Sequence, residues 1–518
     1  MDEEIMRQNH MYWQLVYHLA ITCDMRIVNI SKDNKQVWLE REDKDDPALF
    51  RIVKMDVIWS RELQKDLDSM PVKFRQIRKQ MPLRKPDLYN VYVTSYPPVD
   101  EAGPLLEQDR TAGQTPIKSY LLPAIPNRWH TLDEVKDFVA SAKCEKRFYP
   151  EGFTWHEEDT ARLRQEVKDK HKQATEKDRE FFLFGKPLFT TTLLIIIALI
   201  FMYMETVDDT TSVLTLIEFG AKYNPAIIEG EWWRLGSAMF LHIGFLHFFM
   251  NSLALFYLGG AVERIFGTTR FILIYILAGL IGSIASFAFN DQISAGASGA
   301  IFGCFGALLY FGSIHRKLFF RTMGLSVIVI LVINLAFGFM VPMVDNGAHI
   351  GGLVGGFLAS AAVHLPKHGL KWRQPVILLL TGVGAIGLFI FGLQTEDGEM
   401  AGMIQLQISQ ELLEEGQYEE AYELITSAIE EGEDSAEAYF LQGNAEAQLA
   451  MFEEARESYF DALEQRADFH EAYYNLALVY VELGDKEEAS TYVNEAIAIQ
   501  EQEEYERLKQ HLQNSMDE

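Results

Sequence analysis

Ser294 to Gly312 reads SAGASGAIFGCFGALLYFG. Nearly every residue is apolar or small, as a lipid-embedded helix requires, yet a hydroxyl, Ser298, stands near its start between Ala297 and Gly299. Gly299 and Gly303 are four apart, as are Gly352 and Gly356 further on. Small residues at that spacing let two membrane helices meet backbone to backbone, so by itself the stretch reads as a packing surface. Whether Ser298 does chemistry depends on what the rest of the chain brings to its depth.

The 518 residues segregate into three parts. Residues 1–180 are mixed and charged, 187–393 are mostly apolar, and 401–518 hold 30 Asp and Glu against 5 Lys and Arg. That tail carries most of the net charge of −28 and argues against nucleic acid as a partner, because phosphates would be repelled. Cys23, Cys144 and Cys304 lie far apart with no CxxC pair, so neither a disulfide framework nor a cysteine zinc site is expected. The opening MDEEIMRQNHMYWQL lacks a basic start and a small-residue cleavage site, so no removable signal peptide is expected.

A helix needs about 20 apolar residues to cross the hydrocarbon core. Seven stretches qualify as candidates: 187–204, 236–258, 271–290, 297–314, 322–340, 346–364 and 375–393. Lys and Arg accumulate on cytoplasmic flanks. Basic residues precede the first span (Arg162 to Lys186) and follow the second (Arg264, Arg270), the fourth (Arg316, Lys317, Arg321) and the sixth (Lys367, Lys371, Arg373). Acidic residues dominate loop 205–235 and follow the third (Asp291), fifth (Asp345) and seventh (Glu396, Asp397, Glu399). The alternation is unbroken. It places the N-terminal part inside and the acidic tail outside.

Polar groups at membrane depth are costly and usually face a bundle interior or water. Here they are His242, His247 and Asn251 in the second span, Ser298 at the head of the fourth and His349 in the sixth. The orientation gathers all five below the outer surface. Ser298 with His349 supplies a nucleophile and a general base. His247 and Asn251, four apart, share a helix face as donors, and the Ser298 amide at a helix N-terminus is another, together suited to an oxyanion. Gly296 would let a substrate backbone approach closely. A zinc site is the other use for three histidines, but HExxH and any carboxylate or cysteine at ligand spacing are missing. A transporter would show inverted repeats or paired broken helices, and none is evident.

These residues resemble the rhomboid intramembrane serine proteases over 185–365. EWWRLGSAMFLHIGFLHFFMNSLALFYLGGAVERIFG is similar to the family's Trp-Arg loop (Trp233, Arg234), its His-rich span (His242, His247, Asn251) and its Glu-Arg-x-x-Gly end (Glu263, Arg264, Gly267). GASGAIFG resembles the Gly-x-Ser-Gly nucleophile motif, and NGAHIGGLVGG the Ala-His-x-x-Gly base motif. The resemblance implies a six-helix core, a Ser298–His349 dyad, an oxyanion held by His247, Asn251 and the Ser298 amide, and no metal or cofactor. Many members carry tyrosine four residues after the serine; Phe302 stands there, keeping the stack under the imidazole and losing the hydroxyl. Asp345, four before His349, is read as a helix cap rather than a third catalytic residue.

The tail repeats. GQYEEAYELITSAI, AMFEEARESYFDAL and GDKEEASTYVNEAI align Ala421, Ala455 and Ala489 at a spacing of 34, the period of tetratricopeptide repeats (TPR), whose paired helices stack into a solenoid. Such a module looks like a site for a protein or peptide partner; the alternative is a merely stabilising acidic cap. The N-terminal part reads as helix 6–22, strands 25–31, 36–42 and 49–57, helix 60–80, strand 88–96 and helix 131–143. That order is like endonuclease cores by fold analogy only. Glu40, Glu42, Asp43, Asp45 and Asp46 cluster after a strand and could hold a divalent cation, though a solvated turn is the plainer reading.

The expectation is therefore a polytopic α-helical membrane protein: a rhomboid-like six-helix core plus a seventh helix, an N-terminal α/β cytosolic domain and a C-terminal α-solenoid of TPR type. Its parts would be an accessory domain (1–150), a charged linker helix (151–185), the seven-span protease domain (186–395) and an extracytoplasmic TPR domain (401–518). It would sit in the cell membrane and cut transmembrane protein substrates in or next to their spans. The alternative is a catalytically silent membrane adaptor or chaperone of the same fold.

Overall fold

A computed structural model describes all residues except 1–2, 44, 79–85, 126–132, 145–155, 342–343, 367–368, 370, 395–398 and 517–518. The flanking charges Lys367, Glu396 and Asp397, the ends of the helices expected at 60–80 and 131–143, and the start of the linker helix lie outside the described residues. Two compact units form: Met1–Leu183 with Ile314–Leu325, and Phe184–Ser313 with Ser326–Glu518.

In the first unit six strands run in the order β1-β2-β3-β4-β6-β5: β1 Arg26–Ile30, β2 Gln36–Arg41, β3 Ala48–Lys54, β4 Asp87–Thr94, β5 Thr111–Ala112 and β6 Thr115–Pro123. β1 to β3 pair antiparallel, β3, β4 and β6 parallel. Alternation along the strands feeds two faces. Phe50 and Ile52 of β3 and Tyr89, Val91 and Val93 of β4 pack with Tyr12 and Leu15 of helix Glu3–Tyr17. Leu49 and Leu88 point the other way, against Met70 and Phe74 of helix Ser60–Arg78. The β5–β6 hairpin was not expected, because Pro116 and Pro123 break its strand pattern; β6 lies beside β4 with Pro123 as its last residue. The helix Glu157–Phe182 is more than a linker: Val167 is in the sheet core and Lys170 donates to Ala20 O at 2.7 Å.

The cysteine expectation is corrected here. Cys23 and Cys144 form a disulfide across 121 residues, with Cα atoms 5.6 Å apart, because the first helix and helix Asp133–Ala142 end side by side. Spacing along the chain carries no trace of that adjacency. Three of the five acidic residues pair with cations, Glu40 and Glu42 with Arg26, and Asp46 with Arg41 and Lys143, while Asp43 and Asp45 are exposed to solvent. This favours the solvated-turn reading.

In the second unit and the segment joined to it, helices occupy all seven apolar stretches. Leu188–Val207, Gly244–Phe266, Thr268–Phe289 and Arg373–Gly392 are each long and apolar enough to cross a membrane. Gly324–Met340 reaches that length together with Arg316–Thr322, bent by 75°. Ser298–Ile314 is a shorter apolar helix, and Asn346–Val363 carries polar residues in its first turns. The second helix starts and ends eight residues later than expected. The apolar run at 236–243 is taken up by short turns ahead of Gly244, whose φ is +68°. Its charged end is drawn inside by Glu263, which is fully buried. The Glu263 carboxylate accepts from Phe189 N at 2.9 Å, Thr190 N at 2.8 Å and Thr190 Oγ1 at 2.7 Å, capping helix Leu188–Val207 where the dipole favours an anion. Glu263→Ala strands those donors, and about 3–5 kcal/mol of stability should go with it, read as a lowered thermal midpoint of the purified chain.

The tail folds as three helix pairs: Glu399–Glu414 with Tyr418–Glu430, Ala436–Gln448 with Phe452–Gln465, and His470–Glu482 with Lys486–Ile499, followed by Glu503–Met516. Ala421, Ala455 and Ala489 are fully buried. The first helix does not hang free. Glu411 accepts from Ser212 Oγ at 2.9 Å and from the amides of Val213 and Leu214 at 3.0 and 2.9 Å, capping the short helix Val213–Glu218. Leu406, Ile408 and Leu412 bury with Val213, and Leu214, Tyr223 and Ile293 pack against them.

Glu446 is buried beneath Ser458, whose hydroxyl donates to it at 2.6 Å. Burial, with Glu454, Glu457 and Asp461 nearby, pushes its carboxyl up from 4.5 to about 7. The folded tail therefore holds a proton that the unfolded chain has lost between those values. This contribution to stability is full below pH 4.5 and falls away as pH rises through 7. Glu446→Gln should raise the thermal midpoint of the tail at pH 8 and flatten its decline between pH 5.5 and 8.

Candidate active site

Ser298 is the first residue of its helix and half-buried. The strand-like approach to it is stitched down on one side. Ser294 and Lys222 exchange backbone hydrogen bonds of 2.9 and 3.1 Å, Gly296 N donates to Ala238 O at 2.9 Å, and Ala297 N donates to His242 Nε2 at 3.4 Å. His242 is fully buried and lies in the turn before its helix, a correction to its expected place inside the second span.

Helix Asn346–Val363 meets the serine helix along glycine. A Cβ on Gly352 would fall 1.9 Å from Gly299 O, and one on Gly356 would fall 2.1 Å from Gly303 O. On its other side the same helix meets helix Thr268–Phe289, where a Cβ on Gly282 would lie 2.8 Å from Ala348 O. Contact this close fixes what the helices carry. Gly299, next to Ser298, touches Ala348, next to His349. Phe302, one turn after Ser298, stacks on the His349 ring at 4.1 Å between centroids and 13° between planes. His349 is 9% exposed, and its Nδ1 has no hydrogen-bond partner among the described residues. No hydrogen bond joins Ser298 to the ring in this structure; such bonds are often long before substrate binds. Asp345 is engaged elsewhere, accepting from Ala348 N at 2.9 Å and from the Ser286 hydroxyl, so it caps the helix.

His247 lies against the segment that leads into the serine helix. A Cβ on Gly296 would come 2.8 Å from its Cε1 and 3.1 Å from its Nε2, so only glycine, here at φ +147°, lets the ring rest against the backbone two residues before Ser298. Asn251 is buried one turn on, its amide donating to His247 O at 3.1 Å. The His242 and His247 rings sit 5.4 Å apart.

Residues 229–366 match the model of the Rhomboid domain, and residues 406–468 and 470–503 match tetratricopeptide repeat models. Rhomboid protease GluP of Bacillus subtilis (strain 168) is 34% identical over 472 residues, 91% of each chain. RHOMBOID-like protein 2 of Arabidopsis thaliana is 41% identical over 160 residues, 30% of this chain and half of that one. Among solved structures, the Arabidopsis OM64 TPR domain aligns at 18% identity over 22% of this chain and 96% of that domain, with a TM-score of 0.22.

The chain belongs to the rhomboid family.

It is a rhomboid-type serine protease with TPR repeats, held in a membrane by apolar helices. Not every rhomboid-like motif residue converges on Ser298. Trp233 is 54% exposed, with its indole packed where a Cβ on Gly220 would stand. Arg234 is buried over the Trp233 ring and donates to Ile217 O at 2.6 Å while pairing with Glu231, which closes the 208–243 loop. Glu263 caps the first membrane helix as described, while the Arg264 side chain is exposed and its carbonyl accepts from Gly185 N at 2.9 Å. Lys222 counts in the sequence only toward the charge of loop 205–235. It is buried, with its ammonium donating to the carbonyls of Asn290 and Gln292 just before the serine. Burial lowers it to about 8, offset in part by Asp345 and Asp291. Its one sequence signal is a lone lysine in an acidic loop.

Proposed function

We propose that Ser298 and His349 form the dyad of an intramembrane endopeptidase that hydrolyses peptide bonds in or next to transmembrane segments of membrane-protein substrates. The observation that carries this reading is the glycine seam, which holds the serine helix against the histidine helix with Phe302 flat on the imidazole. The imidazole takes the proton of the Ser298 hydroxyl as its oxygen attacks the scissile carbonyl. The oxyanion forms beside the Ser298 amide, His247 and Asn251. The imidazolium then gives its proton to the leaving amine, and a water repeats the sequence on the acyl-enzyme. Gly296 leaves room for the substrate backbone, and His242 steadies the approach to Ser298 through the Ala297 amide. No metal or cofactor enters.

The chain is read as a multi-pass cell-membrane protein with seven spans within 186–395, an accessory domain (1–150) and its helix (151–185) in the cytoplasm, and the TPR domain (401–518) outside. Three contacts favour the relative sides by parity. Lys317 pairs with Glu42 and Arg321 with Asp178, so the loop after the fourth helix shares a side with the N-terminal domain. Glu411 holds helix Val213–Glu218, so the tail shares a side with the loop after the first helix, which needs an even number of crossings between them. A bonded cysteine pair is uncommon in a reducing compartment and pulls the other way; parity bears on relative sides alone, and the basic flanks are what weigh for the cytoplasm.

A fluorophosphonate probe applied to membranes should label the wild-type chain and leave Ser298→Ala unlabelled. Equal labelling of the two would remove Ser298 as the nucleophile.

A further inference from the structure

The 34-residue period does more than stack the tail. It returns one residue per repeat to the same face, so Glu414, Gln448 and Glu482 line one groove, as do Gln410, Asn444 and Leu478. The groove has a volume of about 1270 Å³, beyond the range of about 300–1,000 Å³ usual for small ligands and suited to a length of peptide. Its charged lining residues are Glu414, Glu433, Glu437 and Glu482, with no Lys or Arg among them; Glu437 is paired with Arg466 at 2.6 Å, which leaves Glu414, Glu433 and Glu482 to set the charge. Phe440 and Phe452 add aromatic faces, which attract cations as well as apolar side chains, while the Phe469 ring already carries the Arg466 guanidinium at 3.5 Å. Asn444 Oδ1 accepts from Tyr459 Oη at 2.8 Å and Asn475 Nδ2 at 2.7 Å, which fixes that amide in the groove. An acidic peptide, a nucleic acid or an anionic lipid surface would be repelled.

The helix that opens this groove is the one bolted to the protease. Gln410 and Glu414 line the groove, while Glu411 between them caps Val213–Glu218. The same helix packs with Ile293, five residues before Ser298. Five residues of chain span at most about 18 Å, so the helix that opens the groove packs within that reach of the serine, and a ligand in the groove lies at least one helix diameter, about 10 Å, farther out. A ligand tethered over so short a distance meets the second site at an effective concentration of order millimolar.

We propose that the tail groove is a substrate exosite: it binds a Lys- or Arg-bearing, partly apolar segment that the membrane substrate presents on the tail's side, and so delivers the neighbouring span to Ser298. This rests on the protease reading for its second half, and the test separates the two. Binding is measured on the full chain carrying Ser298→Ala, in nanodiscs, with a fluorescent twelve-residue peptide of alternating Lys and Leu and a counterpart with Glu for Lys. The basic peptide should bind saturably and weaken as salt rises. The Glu counterpart should fail to bind. Glu414→Lys/Glu482→Lys, at two exposed positions, should weaken the basic peptide at least tenfold while the thermal midpoint stays put. Equal binding of both peptides, no binding, or indifference to the double variant would each overturn the proposal.

Cleavage supplies the second arm. A single-span reporter whose segment on the tail's side carries the basic peptide should show a KM at least fivefold below one carrying Gly and Ser there, with kcat unchanged. The double variant should erase that difference. An unchanged KM overturns the exosite even if the peptide binds. Absence of any Ser298-dependent cleavage would instead defeat the protease reading and leave the binding result to stand alone.

Discussion

Ser298→Ala and His349→Ala should each lower cleavage of a single-span reporter in membranes by about ten-thousand-fold or more, and the double variant should be no worse than either single one. Nucleophile and base act as one unit, so removing either forfeits nearly all that the pair contributes. The serine change is small and at a half-buried position, so the thermal midpoint should hold and the loss will be chemical. The histidine change empties the face of Phe302 and should lower the midpoint somewhat, which is why the serine variant is the cleaner test. A Ser298→Ala enzyme keeping a tenth of wild-type activity would end the dyad assignment.

Gly352→Ala is the second large effect. A methyl there would sit 1.9 Å from the Gly299 carbonyl oxygen, which is backbone and cannot swing aside. The two helices must part, at a cost of about 1–3 kcal/mol for overpacking. Parting them draws His349 away from Ser298, and a displacement near 1 Å can cost about a hundredfold in rate. Gly384, in helix Arg373–Gly392, has nothing within 4 Å of its Cβ position. Gly384→Ala should therefore leave cleavage unchanged. Equal effects of the two substitutions would mean that the seam does not set the geometry of the site.

The apolar stretches and the 34-residue period were legible because both are periodic features of composition, which burial imposes directly on sequence. The cap at Asp345 was legible because it is local to one helix turn, whereas the stack of Phe302 on His349, far apart in the chain, was legible only through the family resemblance. What escaped was set by contacts distant in sequence. The Cys23–Cys144 bond, the β6 strand beside β4, the tie from Lys222 to the carbonyls before Ser298 and the place of His242 ahead of its helix all depend on which chain segments fold back together. The late start of the second helix escaped for another reason: an apolar run fixes how much chain is buried, not where a positive φ at Gly244 lets the helix begin.

The carboxylate of Glu411 reaches back 198 residues to hold Val213 N, and this bears on how the enzyme is dissected. Deleting the tail would not simply remove an accessory module. It would uncap the helix Val213–Glu218 and strip the apolar cover from Ile293 close to the nucleophile. A truncated chain is thus a differently folded enzyme, and weak proteolysis by it would speak to lost scaffolding before lost recognition. Point changes inside the groove, which spare Glu411, keep those two causes apart.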